Sequence, residues 1–98
     1  MDRLTKFKNI QNEGFELFKL KNQDYGSAYD DYGVIGILVR INDKIRRLQN
    51  ITNNQIILIH DVENLNVKSE TLRDTLIDLQ NYSTMALMLI DEIKYKKI

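Results

Sequence analysis

Apolar positions along this chain fall into three helical patterns separated by two breaks. Leu4, Phe7, Gln11, Phe15 and Phe18 step by three and four residues, flanked by Ile10 and Leu17, which predicts a helix over about 4–22. Val34, Leu38, Ile41, Ile45 and Leu48 repeat the pattern and predict a second helix from 30–33 to about 49. Leu72, Leu76, Leu79, Ser83, Ala86, Ile90 and Ile93 form the seam of a third, over about 70–96, with Ser69 placed to cap it. From Ile77 to Ile93 this last helix is apolar on most sides, so it is expected to be central and contacted on two faces. Between the first two patterns, Lys21 to Tyr29 contains the turn formers Asp24 and Gly26 and reads as a loop. The 51–68 connector holds the breaker Asn53-Asn54 and the apolar run Ile56-Ile57-Leu58-Ile59, which fits a short strand, a turn or a patch over the bundle. The expected fold is all-α, one domain over 1–98. Three long helices leave a bundle incomplete, and closing it by oligomerisation, as a homodimer or higher homo-oligomer, is the simplest completion.

The polar positions are patterned too. Glu70, Asp74 and Asp78 step by four, and at about 100° per residue they lie roughly opposite the last helix's seam. A solvated face would explain them, but the same line runs on through Asn81 to Met85 and Met88. A stripe that turns apolar partway is expected to be covered. Like charges at this spacing repel by a few tenths of a kcal/mol per pair, so the carboxylates stand on an open face or share a cation. Glu70 also suits the first turn, where the helix dipole favours an acid. The second helix is the electrostatic complement, with Arg40, Lys44, Arg46 and Arg47 around Asp43. These serve either as ion pairs, including Asp43 with Arg47, or as phosphate ligands beside carboxylates that hold a bridging metal. Glu13 and Glu16 have the Glu-x-x-Glu spacing, though solvation beside Lys19 and Lys21 explains them more simply. Tyr25, Tyr29 and Tyr32 either line a base pocket or plug the end of the bundle.

Composition narrows the chemistry. The 98 residues carry 14 basic and 14 acidic side chains, and zero net charge argues against general nucleic-acid binding. There is no cysteine and one histidine, His60, so a metal would be held by oxygens, as Mg²⁺ or Mn²⁺ is. No apolar run follows Met1 to Lys6, and Met85 to Ile90 is too short to span a bilayer, so a cytoplasmic, membrane-free location is expected. Proline is absent, which favours long uninterrupted helices.

Three stretches together resemble a known family. They are Lys21-Asn22-Gln23-Asp24-Tyr25-Gly26, then Arg40 to Leu48 with its Arg-x-x-Asp-Lys-x-x-Arg pattern, and then Glu70 to Tyr82 with Asp74-Thr75 and Asp78-Leu79-Gln80-Asn81-Tyr82. Their order and spacing are similar to the nucleotide modification associated domain 1 family of phage and bacterial proteins, over about 15–89. Thr71 stands where that family usually has serine, and the connector is longer and more apolar. More distantly the family is similar to the MazG-like all-α nucleoside triphosphate pyrophosphatases, although their acid pattern is not reproduced here. The resemblance implies a nucleotide site where the three motifs meet. On that basis Glu70, Asp74 and Asp43 (or Glu16) are expected to hold Mg²⁺ or Mn²⁺, and Asp74 and Asp78 to be catalytic. Arg40, Lys44 and Arg47 would neutralise phosphates, and Lys21, Asp24 and Tyr25 would meet the base or sugar. Asn81 and Tyr82 would orient the ligand. The function implied is a Mg²⁺-dependent NTP or dNTP pyrophosphohydrolase or related nucleotide-processing protein, located in the host cytoplasm if phage-encoded. The alternative is a nucleotide-binding module without turnover, including one that sequesters a signalling nucleotide against host defence. A purely structural helical scaffold would not explain why the three motifs occur together.

Overall fold

Helix formation starts one step ahead of the first apolar position. Asp2 accepts a hydrogen bond from the Thr5 amide on its Oδ1 at 2.7 Å, and its carbonyl accepts from the Lys6 amide at 3.1 Å. Asp2 therefore satisfies donors that a helix N-terminus leaves open. The Thr5 hydrogen bond in turn holds the Asp2 carboxyl below the usual carboxylate range. The computed structural model describes residues 1–51 and 69–96, with the side chains of 23–32, 69–71 and 94–96 excepted. Helix α1 spans Arg3–Ile51 and α2 spans Ser69–Lys96. The described residues are all-α and contain no strand. The connector expected to hold a strand or turn lies outside the described residues beyond Ile51.

Helix α1 is two helical segments. Gly33 adopts φ 59° and ψ −149°, a conformation that side chains with a Cβ rarely take, and it divides α1 into 3–32 and 34–51. With α2 this makes the three helices the periodicity predicts. The break, however, is displaced. The loop expected over 21–29 is helical, and a single glycine changes the chain's direction instead. One Gly inside a helix costs about 1 kcal/mol, which flanking helical turns can absorb, and no proline removes a backbone donor there.

The core draws on all three segments. Ile37, Met85, Ala86 and Leu89 are buried together, and Phe18, Val34, Ile41 and Tyr82 pack against them. On α2 the inward line is Ile77, Asn81, Met85 and Leu89, stepping by four, with Ala86 beside it. The expected seam is therefore turned partly outward: Leu76, Ile90 and Ile93 are exposed. Of the polar stripe expected to be covered, Asn81 and Met85 are buried and Asp78 is partly buried, while Asp74 and Met88 are exposed. The expected seams of α1 shift as well. Ile37 is fully buried while Leu38 and Ile45 are exposed, and so are Leu4, Phe7 and Phe15. Among the described residues no helix is long and apolar enough to cross a membrane.

Candidate functional site

The first segment of α1 meets α2 at Gly14, where α1 carries no side chain and α2 presents Gln80 and Asn81. Gly14 is buried, and a Cβ built on it would overlap Gln80 Nε2 and stand 2.9 Å from Asn81 Oδ1. The Asn81 side-chain amide donates to the Gly14 carbonyl oxygen at 3.0 Å. A buried carboxamide needs such a partner, and the absence of a side chain at Gly14 lets it reach the backbone. Beside the crossing, Arg73 makes a two-pronged ion pair with Glu13. That contact lowers the Glu13 pKa and raises that of Arg73, through hydrogen bonding first and charge second.

The second segment of α1 meets α2 through charge. Lys44 Nζ lies 3.1 Å from Asp78 Oδ2, with both side chains more than three-quarters buried (23% and 19% exposed). One turn further along α2 is Tyr82, partly buried against the core. Burial pushes its phenol pKa up. The charges of Arg40 and Lys21 pull it down, while those of Asp78 and Asp43 push it further up. Four charged groups from all three helical segments thus act on one hydroxyl. A cleft of about 430 Å³ opens beside them, lined by Glu13, Leu17, Lys21, Asp74, Ile77 and Asp78.

Most of the residues singled out in the sequence converge here. Lys21, Arg40, Asp43, Lys44, Asp78 and Tyr82 share one electrostatic neighbourhood, and Asp74 lines the cleft. Arg47 is exposed and makes no ion pair among the described residues, so the anticipated Asp43–Arg47 pair is not formed. The Asn81 amide is held on the Gly14 carbonyl, and Asn81 lines the cleft on the other side of the crossing. Glu16 pairs with Lys19, in keeping with the simpler explanation of its spacing, whereas Glu13 pairs with Arg73 across the helix crossing. The side chains of Asp24, Tyr25 and Glu70 lie outside the described residues. Sequence reasoning missed the Glu13–Arg73 pair and the Gly14–Asn81 contact. Neither leaves a local signal, because the partners are far apart in the chain.

Residues 21–90 match nucleotide modification associated domain 1. The chain belongs to this family. No curated relative and no solved structure matches it. The match to the nucleotide modification associated domain begins at Lys21 and so takes in Lys21, Arg40, Asp43 and Asp78, the four charged residues that act on Tyr82 among the described residues. Glu13 and Gly14, against which α2 packs, precede it.

The Tyr82 environment gives a pH prediction. A phenol whose folded pKa is raised above its unfolded value keeps its proton longer in the native state. Its contribution is fully present below the unfolded value near 10 and is lost as pH rises through the folded one. In an alkaline titration followed by tyrosinate absorbance, the five tyrosines should include one late step. Tyr82→Phe should remove that step and flatten the fall in stability above about pH 10. A late step that survives in Tyr82→Phe would assign it to another tyrosine.

Proposed function

We propose that this protein binds a nucleotide in the charged cleft and, with Mg²⁺, hydrolyses it between its α and β phosphates. The observation that carries this is the charge gathered at one partly buried tyrosine: Lys21, Arg40, Asp43 and Asp78 act on Tyr82, Lys44 pairs with Asp78, and Asp74 lines the cleft that Lys21 and Asp78 share. Cations from two helical segments suit phosphate oxygens, and carboxylates on the third suit a hard metal.

The donor set fits Mg²⁺ in one particular mode. Among the described residues no three acidic or histidine side chains converge into a self-sufficient metal site. Mg²⁺, however, usually keeps several waters and takes only one or two carboxylates plus substrate phosphates. Asp74 and Asp78, one helical turn apart, would supply those carboxylates, with Asp43 on the second segment of α1 as a further oxygen donor. When bound, the metal would polarise a phosphoryl oxygen and favour attack by water. The chain's own residues position the reaction. Lys44 orients the Asp78 carboxylate, Lys21 and Arg40 offset phosphate charge, and the raised Tyr82 pKa keeps that phenol protonated beside them. No covalent nucleophile is needed, since this chemistry is mainly positioning and charge neutralisation.

A second reading has its own support. Asp78 is already paired with Lys44, and Glu13 with Arg73. Acids engaged in this way suit a module that binds or sequesters a nucleotide without turnover. The two readings separate when the protein is incubated with a panel of NTPs and dNTPs in Mg²⁺, Mn²⁺ or EDTA, with products identified by chromatography and mass spectrometry. Hydrolysis gives metal-dependent monophosphate and pyrophosphate. Unchanged nucleotides that still raise the melting temperature in EDTA would establish the binding module instead.

We also propose that a second copy of the chain covers the outward seam of α2. Leu76, Leu87, Ile90 and Ile93 are exposed there, with Leu87 61% accessible, and a soluble monomer seldom leaves such a run open. Sedimentation velocity should show a dimer or larger assembly. Leu87→Glu should shift it to monomer without loss of helicity, and a monomeric parent chain would refute the interface.

A further inference from the structure

A second cleft, of about 590 Å³, opens along the same helix crossing and differs from the charged one in its polar lining. No ionisable side chain lines it. Its polar groups are the carboxamides of Gln11, Asn12 and Gln80, the amide-anchored Asn81, and the Thr84 hydroxyl. Its apolar groups are two aromatic rings, Phe15 and Phe18, and two thioethers, Met85 and Met88.

The state of these groups narrows what the cleft can take. Asn81 is committed to the Gly14 carbonyl, and the Thr84 hydroxyl donates to the Gln80 carbonyl at 3.0 Å. The carboxamides of Gln11, Asn12 and Gln80, by contrast, make no hydrogen bond among the described residues. Each offers a donor and an acceptor side by side. A phosphate or carboxylate would find no cation in the lining. A purely aliphatic occupant would cover three carboxamides and leave them unpaired, at a desolvation cost. The group that satisfies the lining is uncharged, planar, able to stack, and edged with donors and acceptors. Nucleobases have this character: carboxamides pair with their edges, and aromatic rings stack on their faces.

We propose that this uncharged cleft is a nucleobase site, with Phe15 and Met88 against the face of the heterocycle and Gln11, Asn12 and Gln80 at its edges. The choice of heterocycle rests on the nucleotide reading above. The base belongs either to a nucleotide whose phosphates occupy the charged cleft or to a separate nucleoside.

Methionine methyl groups report on the cleft directly. The chain has three methionines, of which Met85 and Met88 line the cleft and Met1 does not. The full chain, labelled with ¹³C at the methionine methyls, is titrated with adenosine, guanosine, cytidine, uridine and thymidine. It is then titrated with the matching triphosphates, and separately with inorganic tripolyphosphate. The expected result is a saturable ring-current shift of Met88, with or without Met85, and none of Met1. Gln11→Leu combined with Asn12→Leu should weaken that response about tenfold. Both positions are exposed and make no hydrogen bond among the described residues, so the fold should be retained; helical circular dichroism checks this.

Competition of tripolyphosphate with the triphosphate would place base and phosphates of one nucleotide in the two clefts. Additive binding would indicate separate ligands, and both results support the base site. Triphosphate binding that tripolyphosphate displaces but that leaves Met88 unmoved would overturn the base site while sparing the charged cleft. A Met88 shift by nucleosides without any tripolyphosphate binding would do the reverse. A Met88 response unchanged in the Gln11, Asn12 double variant would show that these carboxamides do not read the base, and would also overturn the proposal.

Discussion

Asp74→Asn is expected to abolish metal-dependent nucleotide turnover while leaving nucleotide affinity in EDTA little changed. Asp74 lines the charged cleft, is exposed, and makes no ion pair among the described residues. Its charge is therefore available to a metal, and the fold does not depend on it. Asparagine preserves its shape and removes one anionic ligand. Loss of a group that stabilises charge in the transition state typically lowers kcat on the order of 100-fold or more. Asp78→Asn makes an informative contrast. Asp78 holds the largely buried Lys44, so its replacement should cost about 1–2 kcal/mol of stability as well as turnover. If Asp74→Asn turns over nucleotides at the parent rate, Asp74 is not a metal ligand and the hydrolytic reading loses its best residue. If the parent itself shows only binding, the sequestering reading stands, and Asp74→Asn should then bind as the parent does.

Gly14→Val is expected to destabilise the protein more than any other single change on the first segment of α1. In an isolated helix, replacing glycine by a residue with a side chain gains up to about 1 kcal/mol. Here the first added carbon already overlaps Gln80 Nε2 and crowds Asn81 Oδ1. Gln80 has a flexible side chain that can swing away. Asn81 cannot easily follow, because it is buried and hydrogen-bonded to the Gly14 carbonyl. Valine's additional methyl groups would push α1 off α2, at a cost of about 2–3 kcal/mol. For a domain of this size that corresponds to a fall in melting temperature of roughly 10 °C or more. Thermal and urea denaturation would measure it. An unchanged midpoint would show that the helices do not approach closely at Gly14. Asn81→Leu tests the same contact from the other side, since it removes the side-chain donor that ties α2 to the Gly14 carbonyl.

These effects could be foreseen from the sequence to very different degrees. The acid and basic lines were legible because their spacing is local: Asp74 and Asp78 are one turn apart, as are Arg40 and Lys44. Three such lines, in the order of a family's motifs, sufficed to indicate a shared site, and the structure brings most of them to one tyrosine. The partnerships were not legible. Lys44 with Asp78, Arg73 with Glu13, and Asn81 with Gly14 each depend on how two helices are rotated and staggered against each other. The uncharged cleft has no motif at all, since its carboxamides and rings come from two helices and gain meaning only when these cross.

The sequence by itself determined the all-α class, the existence of three helical patterns, the family, and the residues able to carry charge chemistry. Helical periodicity and side-chain chemistry are properties of near neighbours, so they can be read along the chain. Only the tertiary structure decided which line of α2 turns inward. That helix is apolar on most sides, and two stripes competed for burial; the companions it packs against selected Ile77, Asn81, Met85 and Leu89. The tertiary structure likewise moved the break in α1 to Gly33. Helix continuation outweighed the weak turn propensity of Asp24 and Gly26, and a glycine able to adopt positive φ lay at the end of the helical run.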